Sequence, residues 1–189
     1  MPRLEPKTRE ELTPGQQELH DLFDDSATKA YGDLFTWRID GRQIGPMPFF
    51  LHHPKIGMAA MQLNGAMAQI PLPPDAKETA IVTVTAYHKA AYAVYCHERL
   101  ASAPGYLEKN QLELIKKGEK PDGLNEGCSV AFDVALRLST TPGPMPQQLW
   151  DRGAAVFGKD GLVALLHYIG FYSHVSMLMN GTDVPVPES

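Results

Sequence analysis

The chain lacks the parts on which many familiar chemistries depend. Its only cysteines are Cys96 and Cys128. Two thiols cannot build a disulfide framework, a four-cysteine zinc site or an iron–sulfur cluster. Positive charge is not in excess: 17 Lys and Arg stand against 22 Asp and Glu, a net charge of −5. That balance argues against coating nucleic acid or an anionic membrane. There is no glycine-rich phosphate loop, internal repeat, heptad array or low-complexity tract. The first residues, Met1-Pro-Arg-Leu-Glu-Pro-Lys-Thr-Arg-Glu-Glu, include acidic side chains and no apolar run. Neither a secretory signal nor a transit peptide is expected, and the cytoplasm is the default location. Charge is missing altogether between Asp160 and Asp183. That run is long enough to cross a bilayer. It also holds His167, Tyr168, Tyr172, Ser173, His174 and Ser176, a polar density costly in lipid. A buried helix, in the core or at a subunit interface, is the expectation.

What is present is an ordinary globular composition, 43% hydrophobic and 21% charged over 189 residues, enough for one domain with a full core. The 16 prolines and 16 glycines imply many sharp element boundaries. Residues 1–12 read as a flexible leader, 13–183 as one domain and 184–189 as an extended tail. Thr13-Pro-Gly-Gln opens a helix, with Thr13 as N-cap, Pro14 at the first position and Gln16 closing a capping box. Residues 31–48 read as a long ordered loop, and Pro54–Ala68 as a helix broken by Pro71-Leu-Pro-Pro-Asp. Asp75 is a candidate N-cap, with Glu78 at the capping-box position. The β-branched run after Glu78 would suit a strand, but its length through Ala101 without Gly or Pro suits a helix or helix pair. Helices are expected over Glu108–Lys117, from Asn125 to Leu138, from Pro146 to Phe157, and from Asp160 to Asn180-Gly181. No convincing hairpin is visible. The tally is an all-α domain of seven to eight helices.

Four features carry potential chemistry. Glu78 and His97 lie nineteen residues apart; a carboxylate beside an imidazole can orient it and make it a proton-transfer group. Against that, Glu78 also suits a structural cap. Tyr95, Cys96 and His97 are adjacent, but neighbours on a helix point about 100° apart, so adjacency makes no thiolate–imidazole pair. His167 and His174 are two turns apart and share one face of an apolar helix, where they require partners or a pocket. His52 and His53 follow Phe49-Phe50-Leu51 and are weaker pocket candidates.

The order of these features resembles the carboxymuconolactone decarboxylase-like superfamily, which includes the alkylhydroperoxidase (AhpD-like) proteins. The resemblance rests on Gly45-Pro-Met-Pro-Phe-Phe-Leu-His-His-Pro54 and on Leu72-Pro-Pro-Asp before Glu78. The Glu78–His97 spacing, Leu100-Ala-Ser-Ala-Pro-Gly and Gln111-Leu-Glu-Leu-Ile-Lys-Lys-Gly118 carry it further. Phe157-Gly, Gly170-Phe-Tyr and Met179-Asn180 complete the order, so that it spans residues 13–183. It implies an all-helical fold assembling into trimers, or hexamers as trimers of dimers. The peroxidase branch has a CxxC pair seven and four residues before the histidine; here those positions are Ala90 and Ala93. Without two thiols there is no disulfide to cycle, so thiol peroxidase activity is not expected. The acidic residue that the decarboxylase branch often carries four before the histidine is also replaced by Ala93. His167 stands where many relatives have a glutamate.

The expected function is therefore a cofactor-independent lyase-type enzyme acting by proton transfer on a small organic acid or enolisable carbonyl compound, most simply a decarboxylase. His97 is the expected proton-transfer group and Glu78 its guide. His174, His167, Tyr95 and His53 are candidates for substrate binding. No metal or cofactor is expected, and the partners are a small-molecule substrate and further copies of the chain. The alternatives are an isomerase, dehydratase or cyclase on the same scaffold, a non-catalytic oligomer binding a small apolar ligand, and, third, a metal-dependent hydrolase.

Overall fold

The computed structural model describes residues 2–188, and they form eight α-helices with one small hairpin. The helices are α1 (Pro14–Tyr31), α2 (Met47–His52), α3 (Pro54–Met67), α4 (Pro74–Tyr87), α5 (Ala91–Ser102), α6 (Lys109–Lys116), α7 (Glu126–Thr140) and α8 (Gln147–Thr182). The all-α expectation holds.

Helix α4 is the axis of the bundle and packs against α5, α6, α7 and α8. Its residues 78–85 are all buried. Burial on every face explains why its sequence, Glu-Thr-Ala-Ile-Val-Thr-Val-Thr, shows no helical stripe and imitates a strand. The threonine hydroxyls are satisfied within the helix, Thr79 donating to Asp75 O and Thr83 to Thr79 O, each at 2.7 Å. Thr85 donates to Ile81 O at 2.8 Å. The run is a helix pair: α4 ends at His88 and Lys89 turns the chain with φ 54°. Asn180 of α8 donates to His88 O at 2.6 Å, occupying a carbonyl at the end of α4.

Helix α1 starts as its sequence predicts, with Gln16 Oε1 accepting the Thr13 N–H at 2.9 Å. The same Gln16 amide donates to Leu51 O at 2.8 Å and ties α1 to α2. Helix α8 is bent at Gly158, whose φ of 69° and ψ of 168° are non-helical. This is the expected stop, although the two halves run on through it. The helix is long and apolar enough to cross a membrane; Leu162, Leu165, Tyr168 and Ile169 are buried among the other helices. Residues 9–11 form a 3-10 turn, Leu12 is buried, and Arg3 N–H donates to Thr182 O at 2.9 Å.

Two expectations require correction. The segment 31–48 contains a hairpin, Arg38–Ile39 (β1) paired antiparallel with Arg42–Gln43 (β2), and the start of α2. Its turn is Asp40-Gly41, both at positive φ (49° and 75°), which is the Asp-Gly chemistry of a two-residue hairpin. Asp75 is not an N-cap. Pro73 occupies that position, and Asp75 lies inside the first turn, where Oδ2 accepts from Asn125 at 2.7 Å. Glu78 is thus relieved of any capping role.

Gly45, just after the hairpin, has φ 70° and lies against the Tyr92 ring so closely that a Cβ would overlap it. Gly45→Ala should lower stability by about 1–3 kcal/mol, from overpacking and backbone strain together. A denaturant melt would show this; an unchanged midpoint would mean that the contact yields freely.

Candidate active site

Glu78 in α4 and His97 in α5 face each other across the helix pair. His97 Nδ1 lies 2.7 Å from Glu78 Oε2, and the two residues are only 7% and 5% exposed. The other carboxylate oxygen, Oε1, lies 3.2 Å from Lys77 Nζ. Burial pushes the Glu78 carboxyl up, but attraction and hydrogen bonding from His97, supported by Lys77, outweigh it and hold the group below the usual carboxylate range. An ionised acceptor at Oε2 fixes the hydrogen on Nδ1 and leaves Nε2 outward. Among the described residues no protein group bonds Nε2. The Tyr172 ring meets the imidazole edge-on, centroids 4.7 Å apart at 85°, a favourable aromatic contact.

The pair stands between two hollows. The inner one, of about 110 Å³, is walled by aromatic side chains including Phe23, Phe35, Trp37, Phe50, Tyr92 and Phe171, and no Lys, Arg, Asp or Glu lines it. Helices α1, α2, α3, α5 and α8 each supply part of this wall. The outer one, of about 390 Å³, is more polar and includes Lys77, Glu78, Tyr106 and Tyr168. His97 lines both.

Cys96 also lines the inner cavity, but burial pushes its thiol up to about 12, only partly offset by the neighbouring Tyr92 hydroxyl and Arg99. It is a neutral thiol at physiological pH and a poor nucleophile. Ala90 and Ala93 are buried, and Ala93 presents its methyl group to the cavity.

The other sequence candidates lie elsewhere. Tyr95 lines neither hollow: its hydroxyl accepts from Thr36 N–H at 3.1 Å and its ring lies under the Arg99 guanidinium at 3.8 Å. His167 and His174 do share a face of α8, but it is the exposed face of the single chain, with Val163 and Met177. His53 is exposed at the junction of α2 and α3. The structure brings none of these four to the Glu78–His97 pair. Conversely, Tyr31, Asn64 and Tyr172 reach both hollows; no local motif marks the first two, and Tyr172 is marked only as the end of Gly170-Phe-Tyr, with no role attached. Among the described residues no three His, Cys, Asp or Glu side chains converge as a metal site.

No protein-family model matches the chain, and no curated protein matches its sequence. Solved structures do share its fold. Crystal structures of the debrominase Bmp8 superpose with a TM-score of 0.70 at 15% identity. One, a cysteine-to-alanine variant in complex with 2,3,4-tribromopyrrole, covers 97% of this chain and 91% of its own; the apo form covers 96% and 90%. The likeness is one of fold.

Proposed function

We propose that the chain is a cofactor-independent enzyme that moves protons on a small organic acid or enolisable carbonyl compound, with decarboxylation as its reaction. The observation that carries this reading is the buried 2.7 Å contact between Glu78 and His97 at the edge of an apolar cavity. In a β-keto or vinylogous acid, the bond to the carboxylate breaks and its electron pair passes into the substrate's own carbonyl system as CO₂ leaves. The resulting enolate needs a proton at carbon. His97 Nε2 takes up a proton from water and then delivers it to that carbon, returning to the neutral ring, while Glu78 offsets the positive charge that the ring carries before delivery. An apolar cavity favours this step because charge localised on the carboxylate becomes dispersed in the transition state. The debrominase Bmp8, in complex with 2,3,4-tribromopyrrole in one of its structures, supports an enzymic role for this fold.

The test is a panel of single-ring β-keto and vinylogous acids, assayed in D₂O for CO₂ release and for deuterium at the former carboxyl carbon. Release with incorporation that requires His97 is the expected result. Binding throughout the panel with no turnover would favour a non-catalytic ligand-binding protein instead.

The proposal includes self-association into a trimer or hexamer. Ile56 and Leu63 on α3, and Val163 and Met177 on α8, are large apolar side chains exposed in the single chain, and the α8 stretch carries no charge that would repel a copy. Met177→Glu should convert the assembly to smaller species in light scattering after size exclusion. A wild-type mass of one 20.8 kDa chain would contradict this part.

A further inference from the structure

The residues common to the two hollows are Tyr31, Asn64, His97, Leu100 and Tyr172. Four of these five side chains are polar, and together they form the neck between the hollows. His97 uses Nδ1 on Glu78. Among the described residues, no hydrogen bond engages the side-chain amide of Asn64 or the hydroxyls of Tyr31 and Tyr172. Nor are these groups among the unpartnered polar atoms sealed inside protein, and their residues line both cavities. The contrast with the rest of the inner wall is sharp. Trp37 Nε1 donates to Gly32 O at 3.3 Å, and the Tyr92 hydroxyl donates to Thr36 O at 2.8 Å. Free donors are thus concentrated at the neck, beside the imidazole.

Donors that face a cavity and are not engaged by the protein can exchange water for the acceptor atoms of a ligand. Three such groups lining the same two hollows as the imidazole match an acceptor with several lone pairs. The inner cavity sets the rest of the ligand. At about 110 Å³ it is somewhat smaller than the ~150 Å³ dry cavity that accommodates benzene, so a single ring is the largest body it suits. Its aromatic walls favour a flat, unsaturated body.

We propose that the neck is a substrate clamp, in which Tyr31, Asn64 and Tyr172 donate hydrogen bonds to the oxygen head group, carboxylate or ketone, of a single-ring unsaturated substrate whose apolar body occupies the inner cavity. This deepens the proton-transfer reading and rests on it. The clamp holds the bond to the head group within reach of His97 Nε2 and fixes the plane of the ring. Asn64 and the two tyrosines are then binding residues for the head group, and the aromatic wall determines the size of the body.

Trp37 lines the inner cavity, so its fluorescence reports occupancy without turnover. Wild type, Tyr31→Phe, Asn64→Leu and Tyr172→Phe are titrated with benzoate and with benzene, which has the ring but no head group. Near-UV circular dichroism establishes that each variant is folded. The clamp predicts that benzoate binds wild type and loses about tenfold or more in affinity in each variant, the effect of one charge-assisted hydrogen bond, while benzene affinity stays unchanged. Absence of benzoate binding to wild type, unaltered benzoate affinity in all three variants, or equal losses for both probes would overturn it. The two readings fail separately. Selective benzoate loss alongside CO₂ release that persists in His97→Ala keeps the clamp and removes the proton-transfer role. Release that depends on His97, with benzoate affinity untouched in the variants, removes the clamp alone.

Discussion

His97→Ala should reduce turnover about 10²–10⁴-fold, the contribution of one well-placed acid or base, while Cys96→Ala keeps it within an order of magnitude. The two positions are adjacent in α5 and both side chains line the inner cavity, so the comparison controls for local disturbance. They differ in chemistry. The imidazole has one nitrogen fixed by Glu78 and the other without a protein partner; the thiol is held protonated by burial. Loss of turnover in Cys96→Ala with retention in His97→Ala would assign the reaction to sulfur. The assay is the CO₂ and deuterium readout on the acid panel.

Glu78→Ala should destabilise the fold by about 1–3 kcal/mol, because it leaves the buried His97 N–H without its acceptor. It should also reduce turnover, since the imidazole loses the group that fixes its tautomer. The pH dependence separates this contribution from ordinary packing loss. Glu78 holds its proton less tightly in the folded chain than in the unfolded one. Its contribution is therefore complete above the ordinary carboxylate range and is lost as pH falls through the depressed folded value. Wild-type stability should decline on that acid limb, and Glu78→Gln should flatten part of the decline. Chemical melts from neutral pH downward would check both, and parallel acid limbs in the two proteins would contradict the assignment.

Much of the fold is legible in local chemistry. The Thr13–Gln16 capping box, the Asn125 cap on the Cys128 N–H at 2.9 Å and the bend at Gly158 are all visible in the residues that form them. The segment that read as strand or helix was ambiguous for a physical reason, since a helix buried on every face has no stripe to display. The hairpin was missed because its strands are two residues each, too short for alternation; only Asp40-Gly41 announced it. Position 78 shows the limit of capping rules. Pro73 and Pro74 move the helix start ahead of Asp75, and the glutamate that spacing assigned to a cap turns inward instead. His167 and His174 show the limit of periodicity, which places two residues on one face without saying which face is packed. The neck residues come from α1, α3, α5 and α8, so their meeting depends on tertiary packing alone.

The most direct test of the central idea is a long-range ¹H–¹⁵N correlation spectrum of the His97 ring, recorded without ligand and with benzoate. The account predicts the hydrogen on Nδ1 at neutral pH, donated to Glu78, with Nε2 the nitrogen whose shift moves on ligand binding. A ring with its hydrogen on Nε2, or one whose Nε2 ignores the ligand, would contradict it.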